Sequence, residues 1–95
     1  AHLPIAPIER ITARFQITMR VADRPGVLAK IAEVFAAQDV SVARMSQEQA
    51  VEGASGATLI VVTHPATEGS LEQTVELLKN SDVVSEVVSV LRVEG

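Results

Sequence analysis

Asp23, Arg24, Pro25 and Gly26 stand together where an alternating stretch, Arg14–Ala22, hands over to a helically spaced one, Val27–Gln38. Two kinds of chemistry fit an acid, a proline and a glycine at such a junction. In the first, Asp23 caps the helix and Pro25 sits in its first turn, where the missing N–H costs nothing. Gly26 then serves close packing of helix against sheet. In the second, the helix start offers unpaired backbone N–H groups and a partial positive charge, which suit an α-carboxylate. Asp23 beside them suits an α-ammonium. A free amino acid carries both charges on adjacent atoms, so one loop can read its whole backbone. The residues alone leave both readings open.

Other candidate groups are poorer. Arg24 as the anion clamp of a small acyl-phosphate hydrolase would need a loop richer in N–H donors and an amide to orient water. The loop holds one glycine, Gly26, and no asparagine precedes Asn80, so Arg24 reads as a solvated side chain. His64, before Pro65, has only His2 as a fellow histidine and no third ligand at a useful spacing, so no metal site is expected. It also lacks a nucleophile to activate, and reads as a loop histidine packed on the second helix. Glu48, Glu52, Glu68, Glu72 and Glu76 read as a solubilising surface. No catalytic residue and no cofactor site is expected.

Composition narrows the classes further. The chain has 95 residues, 47% of them hydrophobic, enough for one packed domain and too few for two cores. A formal net charge of −4, with Phe15 and Phe35 the only aromatics, disfavours nucleic acid and anionic membrane as partners. There is no cysteine, which excludes disulfides, thiolate catalysis and cysteine-ligated metals. No apolar run approaches the ~20 residues that cross a bilayer, and residues 1–13 lack the pattern of a signal peptide. A cytoplasmic location is the resulting expectation.

The elements that must position the loop follow from periodicity. Residues 1–13 carry Pro4 and Pro7 and read as a linker or arm, ahead of a domain over 14–95. Phe15, Ile17, Met19 and Val21 alternate with polar neighbours as a half-buried strand. Leu28, Ile31, Ala32 and Phe35 recur at helical spacing. Residues 40–49 read as a second strand, 51–56 as a glycine-bearing hairpin and 57–63 as a central strand. A second helix is expected over 70–80, capped by Ser70 with Gln73, and a last strand over 85–93. The order β-α-β-β-α-β predicts an α+β, ferredoxin-like fold: a four-stranded antiparallel sheet with both helices on one face.

The stretch "VADRPGVLAKIAEVFAAQDVSV" resembles the opening half of an ACT domain, a small regulatory module of amino-acid biosynthetic enzymes. That family runs from a strand into (D/N)-R-P-G-V-L, then through an amphipathic helix into a second strand, and the likeness extends over 14–93. "LIVVTHPATEGSLEQTVELL" and the closing "VLRVEG" are also similar to the C-terminal regulatory tail of bacterial homoserine dehydrogenases. The resemblance implies a regulatory, non-catalytic chain, with residues 1–13 as the connection from a catalytic region that uses a nicotinamide cofactor. It implies an amino-acid effector, threonine foremost, in feedback control of aspartate-family biosynthesis. The alternative it allows is a ligand-free dimerisation module.

Carried over residue by residue, the family's effector site falls on the loop Asp23, Arg24, Pro25 and Gly26, with Val27 and Leu28 lining it. Asp23 matches the residue that holds the effector, and Ser41 matches a position, often Asn, that contributes from a neighbouring domain. Asp39 stands where the family usually has Gly. The strand over 40–49 is expected at a sheet edge, where unpaired backbone groups invite a second copy. Pairing there implies a homodimer that brings Ser41 of one copy near Asp23 of the other.

Overall fold

A computed structural model describes residues 11–48 and 56–93. The expected arm (1–10 of it) and most of the hairpin connection, 49–55, lie outside the described residues. The elements run β1 (Thr12–Val21), α1 (Val27–Ala37), β2 (Val42–Glu48), β3 (Ala57–Thr63), β4 (Ala66–Thr67), α2 (Glu68–Lys79) and β5 (Val84–Val93). The sheet is antiparallel, ordered β2-β3-β1-β5, so β2 and β5 are its edges, as the ferredoxin-like expectation required.

Alternation builds the core. Phe15, Ile17, Met19 and Val21 of β1 and Ala57, Leu59 and Val61 of β3 are buried in one cluster with Val27, Ile31 and Phe35 of α1 and Leu71 and Leu78 of α2. Only one set of alternating positions is buried in each of these strands, so both helices cover the same face. The buried stripe of α1 begins at Val27 and not at Leu28, which is 40% exposed, and Ala32 is exposed as well. Gly26, left-handed at φ 87°, is the N-cap directly before Val27, and Ile31 and Phe35 are buried as expected.

β4 was not expected from the sequence. β1 pairs with β3 from Gln16↔Val62 to Val21↔Ala57, and the ladder then breaks at His64-Pro65. At the break the buried Thr63 hydroxyl accepts from Phe15 N–H at 3.1 Å, and pairing resumes at Ala13↔Ala66 and Thr12↔Thr67. The two-residue β4 thus extends the line of β3 and delivers Thr67 to the start of α2. Thr67, not Ser70, is the N-cap: its hydroxyl accepts from Ser70 N–H at 3.1 Å, so the helix begins at Glu68. Ser70 is inside the first turn. Its carbonyl accepts the Thr74 hydroxyl at 2.7 Å, which lets a threonine sit fully buried between Leu71 and Leu78.

Candidate site at the β1–α1 loop

The loop that joins β1 to α1 is held from several sides. Ala22 N–H donates to the Val83 carbonyl at 2.8 Å, Val27 N–H reaches the Arg24 carbonyl at 3.4 Å, and Lys30 N–H donates to the Gly26 carbonyl at 3.1 Å. A left-handed Gly26 between Pro25 and Val27 makes this turn possible without strain. It also bears on the capping reading of Asp23. The N-cap is Gly26, and no side chain bonds to the first turn of α1. Asp23 therefore does not cap the helix, and the capping alternative falls.

What remains is an acid without a structural task. Asp23 is exposed and makes no ion pair or side-chain hydrogen bond among the described residues. Close by, the N–H groups of Leu28 and Ala29 have no acceptor among the described residues, as expected of a helix start. Asp23, Arg24, Pro25, Gly26, Val27 and Leu28 together line one cavity of about 260 Å³. A carboxylate and unsatisfied N–H donors around a small, largely apolar space can hold an ammonium and a carboxylate at once.

Gln47 completes the cavity, and sequence reasoning missed it. Gln47 pairs with Leu59, which is fully buried, so its side chain is on the helix-covered face of β2. Gln47 is nevertheless exposed near the end of the strand, so no pattern in the sequence marked it.

Ser41 is elsewhere. It is exposed just before β2 and borders a separate groove of about 440 Å³, with Ala32, Ala36, Asp39, Val40 and Val42. Its carbonyl accepts His64 N–H at 2.8 Å. Within one chain it does not meet Asp23. Asp39, with φ 59°, adopts the left-handed conformation that closes α1, a place that favours glycine and that aspartate tolerates. His64 is exposed.

Three charges surround the loop on its other flank. Lys30 Nζ donates to Asp82 Oδ1 at 2.8 Å, and Arg24 Nη2 lies 3.9 Å from Asp82 Oδ2. The Lys30 hydrogen bond, followed by its charge, holds the Asp82 carboxyl below its ordinary pKa. No group of three metal-ligating side chains occurs among the described residues. None of their helices is long and apolar enough to cross a membrane.

Known proteins share this sequence and shape. A family model described as the ACT domain matches residues 15–82. Across its whole length the chain is 46% identical to a homoserine dehydrogenase of Mycobacterium tuberculosis, of which it covers 22%. Over 99% of its length it is 47% identical to that of Corynebacterium glutamicum, covering 20%. The crystal structure of a homoserine dehydrogenase from Thiobacillus denitrificans superposes on 99% of the chain and 20% of that protein, with a TM-score of 0.80 at 28% identity. The chain thus spans about a fifth of the length of these relatives.

Proposed function

Because the chain belongs to the ACT domain family, we propose that it senses a free amino acid, L-threonine, for a homoserine dehydrogenase of which it forms the regulatory part. The observation that carries this reading is the cavity at the β1–α1 loop, where Asp23, without a partner among the described residues, lines the same small space as the start of α1. Asp23 takes the ligand's ammonium, and the N–H groups at the head of α1, around Gly26 to Leu28, take its carboxylate. The apolar walls and Gln47 are left to read the side chain. At about 260 Å³ the space lies just below the roughly 300–1,000 Å³ of typical small-molecule pockets, which favours a ligand of amino-acid size.

The relatives are homoserine dehydrogenases by name, which supports that parent activity, and none of its chemistry is assigned to these residues. Sensing threonine here closes a feedback loop on the aspartate-family amino acids.

A second copy completes the site. β2 is an edge strand whose outward side chains are polar, and its ladder to β3 is regular from Arg44 to Glu48. β5, the other edge, carries two register shifts against β1, and irregular edges discourage strand addition. Antiparallel pairing of two β2 strands about Met45 puts the start of one opposite the end of the other. Ser41 of the second copy then lies beside the Gln47–Glu48 end and the Asp23 loop. Ligand and dimer are linked, so threonine stabilises the paired state.

A thermal-shift screen of the twenty amino acids tests the reading. Threonine is expected to raise the unfolding midpoint more than the others. A midpoint unmoved by any of them leaves a dimerisation module without a ligand.

A further inference from the structure

Asp23 is flanked on both sides by residues tied to the turn between α2 and β5. Ala22 N–H donates to the Val83 carbonyl at 2.8 Å, and Arg24 faces Asp82 at 3.9 Å. Lys30, in the first turn of α1, donates to the same Asp82 at 2.8 Å. Asp82 and Asp23 also line one open cleft of about 420 Å³. Yet the two cations bordering the loop, Arg24 and Lys30, are both engaged by Asp82, and Asp23 has neither.

The division has a consequence for binding. A side chain adjacent in sequence acts at an effective concentration in the millimolar range or above. Were Arg24 not engaged elsewhere, its guanidinium would compete with a ligand's ammonium for the Asp23 carboxylate. We propose that Asp82 is a positioning residue for amino-acid binding: it holds Arg24 and Lys30 so that Asp23 stays open to the ligand's ammonium. The inference rests on the reading that Asp23 takes that ammonium. Its effect is modest, because side chains 59% and 51% exposed are screened by solvent.

Calorimetric titration of L-threonine into the 95-residue protein tests it, with Asp82→Asn, Asp82→Glu and the double variant Asp82→Asn/Arg24→Gln alongside. Asp82→Asn is expected to weaken binding about three- to fivefold. The double variant, with Arg24 removed in the same molecule, is expected to bind threonine about two- to threefold more tightly than Asp82→Asn alone, and Asp82→Glu is expected to stay within about twofold of the wild type. That recovery is what a merely structural Asp82 could not produce. Unchanged binding in Asp82→Asn overturns the proposal, as does a loss that the double variant fails to recover. A wild-type protein that takes up no threonine overturns the underlying reading instead, and that control separates the two failures.

Discussion

Gln47 and Asp23 line the same cavity, one from β2 and the other from the loop that follows β1. The pair joins two parts of the chain that approach only because β2 runs antiparallel to β3 and β3 to β1. Asp23 supplies a fixed negative charge, which any amino acid's ammonium can use. Gln47 supplies a neutral donor and acceptor on the helix-covered face of β2, where it can discriminate among side chains. Under the proposed reading, recognition of the common backbone and selection of one member fall to different residues.

Gln47→Leu should separate these roles. A neutral hydrogen bond is worth about 0.5–1.5 kcal/mol, so threonine affinity should fall roughly two- to tenfold while valine affinity holds or rises. Competitive calorimetry with the two amino acids measures the ratio. An equal change for both would assign Gln47 no part in selectivity.

Asp23→Ala should remove the ammonium contact and leave the fold untouched. Loss of a charge-assisted hydrogen bond, about 1.5–3 kcal/mol, corresponds to a drop in affinity of roughly ten- to a hundredfold. Because Gly26 and not Asp23 occupies the cap of α1, the unfolding midpoint without ligand should stay where it is. A fall in that midpoint would mean that Asp23 supports the loop in some way its contacts do not show.

The fold was largely legible in the sequence because its signals are local. Alternation from Phe15 to Val21 and the apolar run over 57–63 specify strands, and the order of elements leaves few topologies. The errors came where a single backbone conformation decides the outcome. Gly26, in the left-handed region, takes the cap of α1 in place of Asp23, and Val27 rather than Leu28 opens its buried stripe. At His64-Pro65 the ladder breaks and resumes as β4, so the cap of α2 moved from Ser70 to Thr67. The loop residues Asp23 to Leu28 do meet in one cavity, as a contiguous motif must. Gln47 was hidden because its role depends on strand register, and Ser41 can join the site only through a second copy.

Gly56→Ala should be costly. A Cβ built there lies 2.6 Å from the Val21 carbonyl oxygen, and φ is +91°, a region β-carbon-bearing residues avoid. Backbone cannot yield as a flexible side chain would, so a loss of about 1–3 kcal/mol is expected in urea denaturation. Gly26→Ala meets nothing within 4 Å and has only the left-handed conformation against it, so it should cost less. The reverse ranking would contradict the packing of Gly56 on β1.

Acid should undo the Asp82 latch. Lys30 lowers the Asp82 pKa in the folded protein, so the ionised form contributes stability above the ordinary aspartate value of about 3.9, and that contribution fades as pH falls through the lowered value. Thermal melts of wild type and Asp82→Asn should therefore differ by a constant amount from neutral pH down to that range and converge below it. Convergence already between about pH 5 and 7 would point to a different group.

The most direct measurement is an amide-resolved NMR titration of the protein with L-threonine. Saturable shifts are predicted at the N–H groups of Gly26, Val27, Leu28 and Ala29 and at the Gln47 side-chain amide, all needing roughly ten- to a hundredfold more threonine in Asp23→Ala. Shifts that saturate elsewhere, or a β1–α1 loop that stays unmoved at high threonine concentration, would contradict the account.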